Sequence, residues 1–559
     1  MIGVLRGFSA APGVAIAPAW VYRPTSGGKD RTPLGEAASA AARELRTLAE
    51  RLRDAGRSEE AGILDAQALM ATDPELLDVA QRFVTAGSSD SEAILAAGEQ
   101  QAAALAALDD GLIALRGADV RDVAERIGRI IRGDRPPTLE RRSIAVAIDL
   151  PPSVTAELDP ALLVGIALES GSSTAHAAIL ARALGIPAVV GVAGLLEQTS
   201  GADLLGLDGR RGEVTINPDA DARRRLDAAA TADRRVDAAE AATRHTPLAT
   251  RDGHRVMLAA NIGRPEQAAS AAAAGAEAIG LFRTEFMFMG RSSPPSVETQ
   301  EAAYAEALAA FPGRPVVFRL LDVGGDKDLP YLHLEPEANP FLGTRAIRLA
   351  THNRPLLVDQ LRAVLGAAGR SRAEVSVMAP MVGDLAGVGL VRELIAEAGG
   401  AEATVEVGIM VELPAAVAVA DQLADAVDFF SIGTNDLTQY LLAADRTNPS
   451  LAALQDPMHP AVLRSIRDVI AAGHTRGIPV AVCGEMAGDP AGAIVLTGLG
   501  IDELSMDASS FGRVKRSLAA IDYDEALALA ERVCAASSAT EARDLVAGAL
   551  ERISRVDHD

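Results

Sequence analysis

Two rhythms of apolar and polar residues divide this chain into differently patterned halves. Beyond Thr246, short apolar runs alternate with stretches of helical spacing: RVMLAAN, AEAIGLF, PVVFRLL, EVSVMAP, VEVGIMV, VDFFSIG, PVAVCGE and DELSMDA. Runs of this kind, rich in β-branched residues and bounded by Gly and Pro, read as buried strands. Eight of them separated by helical spacing predict a TIM (β/α)8 barrel over residues 247–559. Ahead of it, residues 34–132 set apolar residues three and four apart in four segments closed by Gly or Asp-Pro, which predicts a four-helix insert over 33–135. Residues 3–22 read as strand, turn, strand around Pro12 and Gly13, and strand signals resume at SIAVAIDL. The insert therefore interrupts one small α/β domain, residues 1–32 and 136–218. Residues 219–246 are polar and alanine-rich with charges of both signs, the pattern of an exposed connector helix.

Composition narrows the function classes. A chain of 559 residues exceeds one hydrophobic core, in keeping with an α/β multidomain reading. A formal net charge of −23 argues against nucleic acid, whose phosphates call for basic patches. It leaves room for a basic protein partner or an anion held through a metal. Hydrophobic residues make up 49 % of the chain but aromatics only 3 %, so alanine-rich helices rather than membrane segments supply the apolar content. No run approaches the ~18 apolar residues of a membrane span. The start, MIGVLRGFSAAPGVAIAPAW, is broken by Pro12 and Gly13 and lacks the charged beginning of a signal peptide. Two cysteines, Cys483 and Cys534, exclude a disulfide framework and fit a reducing, cytoplasmic compartment.

One histidine stands out in GSSTAHAAILARALG, between the strand-like runs ALLVGIAL and IPAVVGV. Ala177 to Leu184 favours helix, Ser172 to Thr174 offer capping oxygens, and Gly185 before Ile186-Pro187 is a stop. A histidine near a helix start is commonly a plain surface residue. Here His176 falls in the first turn, where unpaired N–H groups and the helix dipole favour an anion. That makes it a candidate nucleophile carrying phosphate.

A TIM barrel keeps its chemistry at the C-terminal ends of its strands. There the sequence places Arg283, Arg319, Glu412, Asn435, Asp436, Arg446 and Cys483. Glu412 and Asp436, with no Cys/His cluster nearby, form an oxygen-only pair suited to Mg2+ or Mn2+ rather than zinc. The arginines suit phosphate and carboxylate groups. Cys483 beside Gly484-Glu485 suits a proton donor of ordinary thiol pKa, about 8.5. A phosphate, a carboxylate, a divalent metal, a proton donor and a histidine acceptor together suggest phosphoenolpyruvate as substrate.

At these residues the sequence resembles Enzyme I of the bacterial phosphotransferase system over essentially its whole length. GLFRTEFMFM, LLDVGGDKDLPY, NPFLGTRAIR, GIMVELPAA, DFFSIGTNDLTQYLLAADR and VCGEMAGD carry the likeness. The resemblance implies that Arg283, Arg319, Asn435 and Arg446 bind phosphoenolpyruvate, with Arg345 contributing at the phosphate. It further implies that Glu412 and Asp436 bind Mg2+, that Cys483 is the general acid and that His176 is phosphorylated. The implied partner is the phosphocarrier HPr, docking on the insert, where residues 59–81 carry six acids and no Lys or Arg. The family also implies a homodimer formed through the barrel. One departure concerns the phosphorylated loop: the family usually reads Gly-Gly-x-Thr-Ser-His, whereas this chain has Ser172 and Ala175 at the second and fifth positions. A dikinase would share the histidine segment and barrel but needs a nucleotide-binding domain, for which the chain has no phosphate loop. A binder without catalysis would lack a motif residue, and none is missing from the barrel.

Overall fold

The computed structural model describes residues 3–23, 29–54, 58–106, 111–171, 176–199, 204–324, 329, 331–332, 334–335, 337–400 and 405–556. It divides into two compact units, Met1–Asp237 and Ala238–Asp559.

The first unit opens with four short strands, β1 (Gly3–Arg6), β2 (Phe8–Ala11), β3 (Val14–Ala17) and β4 (Ala19–Val21). Sequence periodicity predicts a single strand, turn, strand here. The structure instead deals the strands alternately into two sheets, because Gly7, Gly13 and Pro18 break the run after every few residues. With β5 (Ser143–Ala147), β6 (Leu163–Leu168), β7 (Ala188–Val190), β8 (Leu205–Asp208) and β9 (Glu213–Ile216), the orders are β1-β9-β8-β3 and β2-β7-β6-β5-β4. Alternation along β5 explains the layering. Ile144 and Val146 pack with Leu205, Leu207 and Val214 of the four-stranded sheet. Ala145 and Ala147 share a core with Ala177, Ala178 and Ala181 of a helix on the other face.

The insert holds five helices among the described residues rather than the four predicted: α1 (Leu34–Asp54), α2 (Ser58–Met70), α3 (Pro74–Thr85), α4 (Asp90–Ala106) and α5 (Gly111–Arg132). The extra break falls at Asp73-Pro74, where Asp73 caps the Glu75 N–H at 2.8 Å and Pro74 takes the first helical position. A short α6 (Pro152–Glu157) follows β5, and α7 (His176–Leu184) lies between β6 and β7. The predicted capping oxygens of Ser172 to Thr174, and Ala175, lie outside the described residues. After α8 (Leu195–Gln198) comes the long, largely exposed helix α9 (Ala220–Thr243), and the boundary between the units falls inside it.

The second unit is a closed barrel of eight parallel strands in chain order: β10 (Met257–Ile262), β11 (Ala278–Phe282), β12 (Pro315–Arg319), β13 (Glu374–Ala379), β14 (Glu406–Val411), β15 (Phe429–Ile432), β16 (Val480–Val482) and β17 (Glu503–Met506). Each of the eight predicted runs holds one strand, and β10 paired with β17 closes the ring. The protein is therefore an α/β multidomain chain with a TIM barrel. No helix among the described residues is long and apolar enough to cross a membrane.

Candidate active site

The candidates in the barrel lie at the C-terminal end of a strand or in the connection that follows it, so parallel pairing gathers them at one mouth. Arg319 closes β12 and is only 6 % exposed. A buried guanidinium needs carboxylate partners. Glu285 accepts from its Nη2, and Asp322 lies 3.4 Å from Nη1. Burial alone would lower its pKa, but Glu285, Asp322 and Glu412 outweigh that and hold the charge more firmly than usual.

Arg345 enters from the long connection after β12. Its fork meets Asp322 twice, Nε at 3.1 Å and Nη2 at 2.9 Å, while Nη1 reaches Asp436 and the Tyr440 hydroxyl, each at 3.2 Å. Asp436 stands in the first turn of the helix Thr434–Leu442 and also lies 3.6 Å from Nη1 of Arg446. The Phe341 ring faces both guanidiniums, centred 5.9 Å from Arg345 and 5.3 Å from Arg446. Arg345 and Arg446 thus share the Asp436 carboxylate.

Glu412 follows β14 and is fully buried. Its Oε1 accepts the Met381 N–H at 2.7 Å, which Met381 presents from a left-handed backbone with φ of 60°. Its Oε2 has no hydrogen-bond partner. Burial, followed by the charges of Asp436 and Asp322, pushes the carboxyl up to about 8. An orphaned carboxylate oxygen near a second carboxylate fits a hard divalent cation, which Glu412 and Asp436 would hold. Among the described residues no three His, Cys, Asp or Glu side chains form a metal cluster by themselves.

Cys483 lies one residue past β16 in a small apolar cluster with Leu281, Val317, Met378, Met410 and Phe429. Burial pushes its thiol up to about 11, correcting the ordinary value that sequence suggests. The thiol therefore stays protonated at neutral pH. Arg319, Glu412 and Arg283 are close enough for their charges to act on it, and Arg283 itself is half-buried just beyond β11. Asn435 is held by Glu485, donating to Oε1 at 3.2 Å and accepting the Glu485 N–H at 3.1 Å.

Models of PEP-utilising enzymes match in three places: the PEP-binding domain over residues 237–523, the mobile domain over 139–212 and the N-terminal domain over 6–116. A phosphoenolpyruvate-protein phosphotransferase of Geobacillus stearothermophilus is 38 % identical, covering 96 % of each chain. One from Haemophilus influenzae is 37 % identical over 97 % of this chain and 98 % of its own. The chain belongs to the phosphoenolpyruvate-protein phosphotransferase family. It is a transferase. A multiphosphoryl transfer protein of Rhodobacter capsulatus is 40 % identical over 97 % of this chain but 67 % of its own length.

Within this phosphotransferase the structure joins Arg319, Arg345, Asp436 and Arg446 through Asp322 into one ion-pair cluster, with Glu412 and Cys483 close enough for their charges to act on Arg319, and Arg283 close enough to act on Cys483. His176 belongs to the other unit, where it begins α7. Sequence reasoning missed Asp322, Glu285 and Tyr440. Asp322 and Glu285 sit inside the quoted motifs LLDVGG and FRTEF, but nothing in a linear motif says which acid faces an arginine.

Proposed function

We propose that this transferase moves the phosphoryl group of phosphoenolpyruvate onto its own His176 and then to the carrier protein HPr, releasing pyruvate, in the cytoplasm and in the service of sugar uptake. The cluster of buried guanidiniums around Glu412 and Asp436 is the observation that carries this reading, on a chain whose relatives of that name align end to end.

In this reading Arg283, Arg319, Arg345, Asn435 and Arg446 hold the substrate, and Arg345 and Arg446 exchange Asp436 for its oxygens. Mg2+ or Mn2+, held by Glu412 and Asp436, supplies electrostatic stabilisation of the enolate when bound. The imidazole of His176 attacks phosphorus. An N–P bond forms, the P–O bond to the enol oxygen breaks, and the guanidiniums neutralise the leaving enolate. Cys483 then gives its proton to the methylene carbon.

Residues 1–32 and 136–218 serve as the phosphohistidine domain, 33–135 as the HPr-binding insert, 219–246 as the linker and 247–559 as the phosphoenolpyruvate-binding barrel. Loading and unloading need His176 to visit two places, so the linker must swivel. Anchors within each unit narrow where. In the first unit Asp233 of α9 pairs with Arg210 at 2.8 Å and Leu226 is buried. In the second, Glu240 pairs with Arg516, and Lys515 donates to the carbonyls of Thr243, Arg244 and Thr246. The swivel is thus assigned to residues 234–239. HPr docks on α2 and α3, where the exposed Leu69 (69 %) lies among the acids of 59–81. The barrels pair as a homodimer.

A coupled pyruvate assay tests this reading. Sustained pyruvate formation is expected only with phosphoenolpyruvate, Mg2+ and HPr together, and Arg319→Ala should abolish it. Sustained turnover driven by a nucleotide in place of HPr would contradict it.

A further inference from the structure

We propose that Asn261 is a positioning residue for Cys483, standing in for a missing rung where β16 and β17 part. The proposal rests on Cys483 being the proton donor.

β16 is three residues long, and its ladder with β17 ends with Val482 opposite Leu504. The next residues in that register are Cys483 and Ser505. The Asn261 carboxamide, reaching over from β10, donates to the Cys483 carbonyl at 3.0 Å and to the Ser505 carbonyl at 3.2 Å. It is itself held by the Ser505 hydroxyl, which donates to its Oδ1 at 2.7 Å. On the other side, the Cys483 N–H donates to the Ile432 carbonyl at 3.1 Å. Both backbone groups of Cys483 are therefore pinned, although it lies beyond its strand.

The chain makes room for this arrangement. The register of β10 against β11 shifts between Ala260 and Asn261, leaving Gly280 as the extra residue. A Cβ on Gly280 would collide with Glu503 and with the Ser505 hydroxyl. An apolar side chain at 261 would fill the same space but leave the Cys483 and Ser505 carbonyls and the Ser505 hydroxyl without this partner, so it is the amide, not the bulk, that ties these two strand ends together.

Protonation is where such precision counts. The enolate forms a C–H bond to the thiol proton as the S–H bond breaks, and sulfur keeps the electron pair until water returns a proton. A thiol fixed on one face delivers to that face alone. One allowed to drift lets water deliver to either.

The test is the stereochemistry of the pyruvate methyl group, made from phosphoenolpyruvate carrying deuterium at one C3 position in tritiated water. Asn261→Leu, matched in size, should lose most of the methyl chirality and lower kcat about 10-fold with KM within about 2-fold. Ser505→Ala should move both the same way by less, without adding to Asn261→Leu. Should Asn261→Leu not fold, Ser505→Ala decides alone. Full chirality and unchanged kcat in the folded variants would overturn the proposal while leaving Cys483 in place. A racemic methyl from the unaltered enzyme would remove Cys483 as donor, and the proposal with it.

Discussion

Arg345 illustrates how much one side chain can be asked to do. Three of its nitrogens contact Asp322, Asp436 and Tyr440, and such a fork has no lysine equivalent. Arg345→Lys is expected to weaken phosphoenolpyruvate binding on the order of 10-fold in calorimetry while the melting temperature stays close to that of the unaltered protein. Binding unchanged within error would remove Arg345 from the substrate site. Cys483 offers an independent check. With its thiol near 11, alkylation by iodoacetamide should be slow at pH 8 and climb steeply toward pH 11, while a midpoint near 8.5 would mean the thiol is not buried as described. At this scale the sequence shows which residues end strands, because barrel periodicity and apolar runs are local. It does not show that Asp322 clamps two arginines, since that contact joins β12's end to a residue 23 positions away.

Helices and strands follow the same division between local and distant causes. The eight barrel runs are legible because each is a continuous apolar stretch, and α7 because Gly185 and Pro187 mark its end. The two-sheet arrangement of β1 to β4 was not, because strands this short carry too few residues to reveal which sheet they join. Where α5 meets the strand end of β4, Glu125 lies 3.5 Å from the Tyr22 hydroxyl. Burial, then the charge of Asp122, raises its carboxyl from 4.5 to about 7. A folded pKa above the unfolded one adds stability that is whole below 4.5 and fades as pH rises through 7. Glu125→Gln should therefore raise the melting temperature at pH 8 and leave it nearly unchanged at pH 4.5; equal shifts at both would exclude the carboxyl as cause. In the second unit, Lys515→Met should speed hydrogen exchange at residues 243–246, where Lys515 gathers the carbonyls of Thr243, Arg244 and Thr246, and unchanged exchange would show that the turn holds without it.

For the whole molecule, the proposed reaction carries a phosphoryl group from the barrel to His176, which lies on the other compact unit. A linker anchored at Asp233 and Glu240 leaves few residues to bend, so swivelling should concentrate between them. The barrel was readable in the chain because its strand pattern repeats eight times. Which pairs of charges meet at the mouth was not, because folding brings them together from strands far apart in sequence. The claim on which the rest depends is phosphorylation of His176 by phosphoenolpyruvate. Mass spectrometry under alkaline conditions, after incubation with phosphoenolpyruvate and Mg2+, tests it directly. An acid-labile phosphoryl mass is expected on the unaltered protein and not on His176→Ala. The same mass on both proteins, or on neither, would contradict it.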